Sequence, residues 1–377
     1  MRIYLSAGEA SGDIHGAELI AALRRERPDI SFTFLGGDLM AKAAETQPLI
    51  HYSRMAYMGF SEVLRHLPDI AANLRTATKA LTDDRPDALI LIDYPGFNLK
   101  LAKRAWKLGI PVFWYISPKV WAWKSHRVRA MRRYLRRLLC ILPFEQAYFA
   151  RKAPQLPVSY VGNPSVEEID RRLASEQPIS QILAGQGIEE RGPILALVPG
   201  SRMSEIRNNL PIMSAVAERH PELTPVIAGA PGIDPDIYKE YSPYPVVTGA
   251  TFPLMAGAAA ALVTSGTATL ECALAATPQV VCYRANGSRL SYSLMKRILH
   301  IPFVSLPNLI ASEAVIPEML LHRCTPQLVD EALTPLLPGG TARQAQLDGY
   351  ARIRTILTDR SAAATAARII LTDLTTK

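Results

Sequence analysis

The sequence predicts an α/β protein made of two doubly wound domains, each with a parallel sheet that helices cover on both faces. Short apolar runs without charged residues alternate with longer amphipathic stretches, which is the pattern of strands buried on both faces. The runs come in two series, each long enough to build one sheet. The length of 377 residues suits two domains, and 49% hydrophobic against 20% charged residues excludes a disordered chain.

The predicted strands follow the apolar runs in chain order. The first series comprises Ile3–Ser6, Phe32–Leu35, Ala88–Ile92, Val112–Tyr115, Leu138–Leu142 and Val158–Val161. The second series comprises Ile194–Val198, Pro225–Ile227, Ala261–Val263 and Gln279–Cys282. Helices are predicted between them, as at Gly16–Arg27, Leu99–Lys107 and Leu270–Ala275.

The join between the domains is expected within Asn163–Pro178, a polar, charge-rich stretch after the last strand of the first series. We therefore expect a first domain over residues 1–165 and a second over 166–340. The remaining residues, 341–377, are predicted to be helical over Thr341–Leu374 and to cross back onto the first domain.

Charge is divided unevenly along the chain. Residues 1–165 carry 24 Lys and Arg against 14 Asp and Glu, a net of +10, whereas the rest carry 18 against 20, a net of −2. A basic half suggests an anionic partner, whether nucleic acid, a membrane surface or a phosphorylated substrate. The four cysteines form no CxxC pair and the N-terminus has no signal-peptide pattern, so we expect reduced thiols in a cytoplasmic, soluble chain. Prolines interrupt the longest charge-free segment, Ser242–Leu270, which is predicted as strand, loop and helix rather than a membrane span.

Ligands of open α/β sheets bind at the carboxyl ends of the strands, so the residues that follow each strand are the candidates. After the first strand, the segment Gly8–Asp13 offers Glu9, Ser11 and Asp13. Two acids there disfavour a pyrophosphate and favour the hydroxyls of a sugar. The alternative, that Ser11 and Asp13 only cap the following helix, stays equally open.

Asp93 ends the fully apolar run Ala88–Ile92 and precedes a Pro–Gly turn. A partly desolvated carboxylate at this edge of the sheet is a candidate general base toward a hydroxyl. The alternative is an Asp that only initiates the turn.

A basic run, Lys124–Arg137, follows a segment with Trp121 and Trp123, which either line a pocket or pack in the core. On a helix, Arg129, Arg133 and Arg136 would share one face, and Arg132 lies beside them. A solvated face is the ordinary interpretation, but the density of the run favours binding of anionic lipid or phosphate.

The second domain carries two candidate loops for a nucleotide. Gly200, Ser201 and Arg202 follow a strand, where backbone N–H groups and a guanidinium can bind a diphosphate. Ser265, Gly266, Thr267 and Ala268 follow another strand and open a helix, whose N–H groups also suit a phosphate. Glu271 is a candidate for the two ribose hydroxyls, the alternative being a capping box. No metal-ligand spacing is present, so a mechanism without metal or cofactor is predicted.

The combination of motifs resembles the lipid-A-disaccharide synthase family over nearly the whole chain. The shared segments are GEASGD at 8–13, the Asp93 segment, SPKVWAW at 117–123, LPFE at 142–145, PGSR at 199–202, SGTATLE at 265–271 and SLPNL at 305–309. The resemblance implies an inverting glycosyltransferase of the GT-B fold, with the two Rossmann-like domains facing a cleft. Its reaction would join UDP-2,3-diacylglucosamine to 2,3-diacylglucosamine 1-phosphate, giving a β(1→6) disaccharide and UDP.

The resemblance also implies roles for individual residues. Asp93 would be the base, Arg202 a diphosphate contact and Glu271 the ribose contact, with Glu9, Ser11 and Asp13 near the acceptor sugar. Asn308 and Glu313 match positions at the cleft whose roles are less defined. One departure is Asn163, where many members of the family have His, so a histidine base at this point is not expected.

The acyl chains of both substrates imply work at the cytoplasmic face of the inner membrane. The apolar stretch with Met55, Tyr57, Met58 and Phe60 is either a face that dips into the membrane or an ordinary buried helix face. The sequence leaves the oligomeric state open, including a homodimer. The alternatives to this function are another UDP-sugar enzyme, such as a UDP-N-acetylglucosamine 2-epimerase, and a basic nucleic-acid-binding protein. The second lacks any nucleic-acid-binding motif, so no nucleic acid is predicted as a partner.

Overall fold

A computed structural model describes residues 1–55, 66–122, 124–284, 303–357 and 360–376. It divides the chain into two compact units. The first unit comprises Met1–Pro164 and Thr358–Lys377, and the second comprises Ser165–Leu357. The described chain after residue 340 thus holds two helices rather than one, and only the last belongs to the first unit.

The sheet of the first unit is parallel, with strand order β3-β2-β1-β4-β5-β6-β7 among the described residues. Its strands are β1 Arg2–Ala7, β2 Ser31–Gly36, β3 Ile50–His51, β4 Ala88–Ile92, β5 Val112–Tyr115, β6 Arg137–Cys140 and β7 Val158–Tyr160. The helices between them are α1 Ala10–Glu26, α2 Asp38–Ala44, α3 Leu67–Asp84, α4 Pro95–Lys107, α5 Val128–Tyr134 and α6 Pro143–Lys152.

The sheet of the second unit is also parallel, with strand order β10-β9-β8-β11-β12-β13 among the described residues. Its strands are β8 Ile194–Val198, β9 Thr224–Gly229, β10 Val246–Thr248, β11 Ala260–Thr264, β12 Gln279–Tyr283 and β13 Glu318–Leu320. The helices are α7 Pro164–Ser175, α8 Ile179–Gly185, α9 Met203–Ala217, α10 Pro235–Tyr238, α11 Thr251–Gly257, α12 Thr267–Leu274, α13 Leu306–Ala311, α14 Pro326–Leu333 and α15 Arg343–Leu357.

The last helix, α16 at Ala362–Thr375, packs on α1 in the first unit. Its buried face consists of Ala363, Ala366, Ala367 and Ile370, at the three- and four-residue spacing of one helix face. The small alanines let the two helices approach closely. Arg137 on β6 donates two hydrogen bonds to the Asp373 carboxylate, at 2.6 and 3.0 Å, and so ties this helix to the sheet.

All ten predicted strands are present, with ends shifted by a few residues, and the predicted fold class is confirmed. The sequence analysis missed β3, β10 and β13. Each has only two or three residues and lies at the edge of its sheet, where one side needs no buried partner and no long apolar run forms. No helix in the described ranges is long and apolar enough to cross a membrane.

Candidate functional site

The first unit brings its candidate residues to the point where the strand order reverses, between β1 and β4. The loops after these adjacent strands leave toward opposite sides, which opens a ligand crevice at their carboxyl ends. Asn98, fully buried on α4, links the two strand ends. Its side-chain N–H₂ donates to the carbonyls of Ser6, Ile92 and Asp93, the last at 2.8 Å, and its oxygen accepts from the Ser6 hydroxyl at 2.7 Å.

Asp93 leaves β4 in a left-handed backbone conformation, with φ of 39°, and Tyr94 follows with φ of 45°. Two successive non-glycine residues in this region store backbone strain, which is typical of functional sites. The pKa of the Asp93 carboxyl is raised to about 6, first by burial and then by the negative charge of Glu9. The positive charge of Lys119 acts in the opposite direction. The carboxyl is therefore mostly ionised at neutral pH yet basic enough to accept a proton.

Glu9 and Ser11 lie at the start of α1, and the negative charge of Glu9 acts on Asp93. The Ser11 hydroxyl donates to the Glu9 carboxylate at 3.1 Å. Glu9 occupies the N-cap position in extended conformation but makes no side-chain cap, so its carboxylate is not consumed by the helix. Gly8 is required here, because a Cβ at this position would lie 2.3 Å from the Tyr94 ring. The structure thus brings Glu9, and Ser11 through it, to the Asp93 site.

Asp13 has different surroundings from those predicted. Its side chain is buried and accepts hydrogen bonds from the backbone N–H groups of Gly37, Leu39 and Met40, at 2.7 to 3.1 Å. These contacts hold the N-terminus of α2, so the carboxylate serves as a cap for a neighbouring helix rather than its own. Gly37 fits this arrangement, since a Cβ there would lie 2.7 Å from the Asp13 carboxylate.

A cavity of about 250 Å³ opens beside Asp93 in the first unit. Its polar lining includes Ser117 and Lys119 after β5, Arg127 before α5, and Glu145 on α6. Ser117, Lys119 and Glu145 lie in segments that carry the motifs, but none of these side chains, nor that of Arg127, is predicted for the site from the sequence. The available signal was position, because Ser117 and Lys119 directly follow β5, the strand next to β4.

Glu145 is a second carboxyl group in this cavity, and it is fully buried. Its oxygens accept from the Trp121 indole N–H at 3.2 Å and from the backbone N–H of Leu142 at 3.1 Å. Burial raises the pKa of Glu145 to about 8, so the group is mainly protonated at neutral pH. Trp121 also packs edge-on against Phe144, at 5.0 Å between ring centres. Glu145 and Phe144 therefore hold the segment after β5 in place.

The basic run differs from its predicted geometry. The helix α5 ends at Tyr134, so Arg136 does not share its face with Arg129 and Arg133. Arg136 instead donates to the carbonyls of Asp373 and Thr376, at the C-terminus of α16. Because Leu135 and Arg136 lead into β6, the sheet ends the helix before the basic pattern is complete.

The arginines of helix α5 are exposed to solvent. These are Arg129, Arg132 and Arg133, and the Arg133 guanidinium lies over the Trp106 ring, 5.1 Å from its centre. For Met55 a membrane-dipping face and an ordinary buried face were both open; it is 1% exposed and packs in the core of the first unit, which fits the buried alternative and not the membrane-dipping one. The remaining members of that stretch, Tyr57, Met58 and Phe60, lie outside the described residues.

The second unit has the same kind of switch point, between β8 and β11. Here the linking side chain is Asn209, fully buried on α9. Its N–H₂ donates to the Thr264 hydroxyl at 3.0 Å and to the Pro199 carbonyl at 3.5 Å, and its oxygen accepts from the backbone N–H of Arg284 at 2.7 Å. One asparagine thus joins the ends of three neighbouring strands. Sequence reasoning missed this residue, since an Asn within a helix gives no signal of its own.

The turn of Gly200, Ser201 and Arg202 uses its backbone N–H groups internally. The Glu205 carboxylate accepts from the N–H of Ser201 at 3.1 Å and of Arg202 at 3.3 Å, and it pairs with the Arg202 guanidinium at 2.9 Å. A Cβ on Gly200 would lie 2.4 Å from this carboxylate. The Arg202 side chain is 74% exposed, so its guanidinium can reorient toward a ligand while the turn keeps its shape.

The loop after β11 places Ser265 half-buried and Gly266 and Thr267 exposed at the start of α12. No side chain caps this helix, and the Thr269 hydroxyl donates back to the Gly266 carbonyl at 2.7 Å. The predicted alternative, a capping box from Thr267, is therefore absent. Ala268 and Glu271 are half-buried in the next turn. Burial raises the pKa of Glu271, and the positive charge of Arg172 opposes that shift.

The polar groups of Asn308 are used to shape a loop. Its side chain is 1% exposed, accepts from the N–H groups of Val315 and Ile316 at 2.8 Å, and donates to the Glu318 carboxylate at 3.0 Å. Asn308 therefore positions the loop that carries Glu313, rather than presenting free polar atoms. Glu313 itself forms an ion pair of 2.6 Å with Arg352, and Asn163 is buried.

Within the described ranges, no group of three or more His, Cys, Asp or Glu side chains could hold a metal ion. All four cysteines are buried and form no disulfide.

Solved structures with a similar fold define the class. The UDP-GlcNAc 2-epimerase of Neisseria meningitidis, bound to UDP-GlcNAc, matches with a TM-score of 0.63 at 14% identity, over 100% of both chains. The glycotransferase of kitacinnamycin matches with a TM-score of 0.63 at 15% identity, over 98% of each chain. At such identities the likeness shows the fold alone, and it confirms the predicted GT-B architecture of two α/β domains.

Sequence similarity identifies the family. Residues 3–370 match the family model described as lipid-A-disaccharide synthetase. The lipid-A-disaccharide synthase of Myxococcus xanthus is 39% identical, over 98% of this chain and 97% of the relative. Those of Nitrosococcus oceani and Acidobacterium capsulatum are 36% and 34% identical, over 93% and 97% of this chain and 91% and 94% of the relatives. The chain belongs to the lipid-A-disaccharide synthase family, which confirms the predicted resemblance and the predicted glycosyltransferase.

Proposed function

We propose that the chain joins UDP-2,3-diacylglucosamine to 2,3-diacylglucosamine 1-phosphate, with inversion, to give the β(1→6) disaccharide 1-phosphate and UDP. The acceptor 6-hydroxyl oxygen forms a bond to the anomeric carbon of the donor as the bond from that carbon to the diphosphate oxygen breaks. The hydroxyl proton passes to Asp93, and UDP leaves with the electron pair of the broken bond. A single displacement of this kind needs a base and stabilisation of the leaving group, with no covalent nucleophile.

The observation that carries the proposal is the position of Asp93 at the first switch point. Its carboxyl ends a buried strand, lies beside a cavity of about 250 Å³ and has its pKa raised to about 6. A raised pKa brings the base closer to the working pH, and general-base catalysis is most effective under that condition. Asn98 donates to the Asp93 carbonyl, so packed structure fixes the backbone from which the carboxylate extends.

The second unit supplies the donor contacts in this proposal. Arg202 binds the diphosphate by exchanging its partner Glu205 for phosphate oxygens, and its exposed guanidinium can form the two parallel hydrogen bonds that a phosphate accepts. The N–H groups at the start of α12, after Ser265 and Gly266, bind the same diphosphate. Glu271 accepts hydrogen bonds from the ribose hydroxyls.

Contact with the cytoplasmic face of the inner membrane rests on the exposed basic surface of the first unit. Arg129 and Arg132 are open to solvent, and Trp106, which is 43% exposed, lies under the Arg133 guanidinium. An exposed aromatic ring beside cations suits the interface of an anionic bilayer. We expect co-sedimentation with vesicles that contain anionic lipid and loss of that binding at high salt. Equal binding to vesicles with and without anionic lipid would contradict this assignment of the basic surface to the membrane.

The function is tested with purified chain, acylated donor and acylated acceptor, by following UDP release and disaccharide formation together. We expect equal amounts of both products and a β linkage at the new bond. Turnover of plain UDP-N-acetylglucosamine at a comparable rate would refute the lipid substrate. Conversion of that compound to its 2-epimer, without an acceptor, would instead favour the epimerase alternative.

A further inference from the structure

We propose that Lys119 and Arg127 bind the phosphate group of the acceptor sugar while Asp93 faces its reacting hydroxyl. The inference rests on the proposed function, because it concerns the phosphorylated acceptor. It assigns phosphate recognition to two residues of the Asp93 cavity rather than to the exposed arginines of the basic run.

The two cations converge on the cavity from different elements. Lys119 lies in the segment after β5, and Arg127 lies in the 3₁₀ turn Ser125–Arg127 that precedes α5, and both line the cavity that Asp93 lines. Two hydrogen bonds hold the residues that directly follow Lys119. The Tyr148 hydroxyl donates to the Val120 carbonyl at 3.2 Å, and Trp121 donates to Glu145 at 3.2 Å. Lys119 is thus carried by anchored backbone, as a preorganised binding site requires.

Neither cation has a carboxylate partner within ion-pair distance among the described residues, whereas Arg137 in the same unit is paired with Asp373. Arg127 is half-buried, and burial lowers the pKa of its guanidinium with no neighbouring carboxylate to offset the effect. A partly desolvated guanidinium such as that of Arg127 is costly without an anion, so an incoming phosphate would recover the lost electrostatic stabilisation, and the exposed Lys119 adds a second positive charge. The site is therefore suited to an anionic ligand.

The other acidic group of the cavity does not compete for these cations. Burial raises the pKa of Glu145 to about 8, so this carboxyl is mainly neutral at neutral pH. The charged groups of the cavity lining are then one ionised carboxylate, that of Asp93, and two cations. A sugar phosphate offers the complementary pair of groups, a hydroxyl for the base and an anion for the cations.

The size of the site fits this ligand. A cavity of about 250 Å³ holds roughly eight times the volume of one water molecule in the liquid, which is room for a phosphate and the edge of one sugar ring. In a hexopyranose the ring oxygen joins C1, which carries the 1-phosphate, to C5, which carries the CH₂OH group of the 6-hydroxyl. Both groups therefore reach the same edge of the ring, and one cavity can receive them together.

The test compares acceptors with and without the 1-phosphate in the two-substrate assay, at saturating donor. Lys119→Gln and Arg127→Gln are each expected to raise KM for the phosphorylated acceptor about tenfold or more, with a much smaller effect on the acceptor without phosphate. The double variant should lose most of the preference for the phosphorylated acceptor. Lys103→Gln, an exposed lysine on α4, is the matched control and should match the wild type. The assay runs at about pH 7, where Asp93 is mostly ionised and Glu145 is mainly neutral, and the acceptor without phosphate controls for any change in the pKa of Asp93 when the charge of Lys119 is lost.

The outcomes separate this inference from the proposed function. Equal losses on both acceptors would overturn the phosphate assignment, as would a rise in KM for the donor in place of the acceptor. Inorganic phosphate should inhibit the wild type competitively against the phosphorylated acceptor and should inhibit the double variant less. If the wild type forms no disaccharide from either acceptor, the proposed function itself fails, whatever the variants do.

Discussion

At the switch point of the first sheet, the loops after β1 and β4 bring together the carboxyl groups of Glu9 and Asp93, beside a cavity lined by cations. At the switch point of the second sheet, the loops after β8 and β11 present a turn with an exposed guanidinium and an uncapped helix N-terminus. In both sheets a fully buried asparagine joins the strand ends. In the proposed function, the same topology supports base chemistry in the first unit and binding of the donor diphosphate in the second, according to the residues that follow the strands.

The two asparagines lie on helices that follow different strands of their switch points. Asn98 lies on the helix after β4 and holds the carbonyl of Asp93. Asn209 lies on the helix after β8 and holds the carbonyl of Pro199 and the hydroxyl of Thr264. In each sheet, a buried side-chain amide forms hydrogen bonds with backbone groups that the strands leave unpaired where they diverge. This comparison gives four predictions.

The largest effect is expected from Asp93→Asn. The amide keeps the shape of the side chain but cannot accept the proton, so kcat should fall by about 100- to 10,000-fold. UDP affinity should stay unchanged, because the donor contacts lie in the second unit. Asp38→Asn, at a side chain that is 98% exposed, is the control. Near-normal turnover of the Asp93 variant would remove it as the base.

The paired variants Asn98→Ala and Asn209→Ala test whether the two switch points have separate roles. Asn98→Ala leaves three backbone carbonyls without this donor, whereas Asn209→Ala leaves the Pro199 carbonyl and the Arg284 N–H without this partner, so each should lower the free energy of unfolding by about 1–3 kcal/mol. The two variants should affect different steps of the reaction. Asn98→Ala should lower kcat and spare UDP binding, whereas Asn209→Ala should weaken UDP binding. Denaturant unfolding and UDP titration measure both effects. Identical kinetic changes in the two variants would contradict the division of roles.

Arg202→Ala tests the anion-binding site. Loss of a charge-assisted contact should weaken UDP binding by about 10- to 100-fold, while the shape of the turn persists through Glu205 and its backbone contacts. Arg207→Ala, at an exposed arginine on α9, the helix that follows the turn, is the matched control. Calorimetric titration with UDP compares the two, and equal affinities would place Arg202 outside the site.

The smallest effect is expected from Glu9→Gln. Activity that depends on ionised Asp93 should fall as the pH drops through about 6, the pKa of that carboxyl. Glu9 raises this pKa by repulsion, so its removal should lower the pKa and move the acid limb of kcat/KM to lower pH. Glu26→Gln, an exposed acid at the end of α1, should leave the profile in place. An acid limb that stays fixed, or moves to higher pH, would show that Glu9 does not act on Asp93.

The local pattern of the sequence determined much of this protein. Strands buried on both faces must be apolar throughout, so the sequence shows β1, β4, β8 and β11 as apolar runs. The residues after these strands are candidates for the functional site by position alone. Asp93, Glu9 and Arg202 are candidates of this kind. The family was recognisable for the same reason, since its motifs are the loops at those strand ends.

Tertiary structure decided which side chains meet. Asp13 looks like a site residue beside Glu9, yet it caps α2 across the fold, and Arg136 leaves the basic helix because β6 begins. Lys119, Arg127 and Glu145 come from separate segments, and only the parallel order of β4, β5 and β6 places them around one cavity.

The uneven charge of the chain shows the same division. The excess of positive charge in residues 1–165 is a property of composition, and it indicated an anionic partner. Which cations are paired, stacked, exposed or turned into a cavity depends on contacts between residues far apart in the chain. Hydrophobic periodicity is local and can be read along the sequence, whereas desolvation and charge pairing arise only when the fold brings distant groups together.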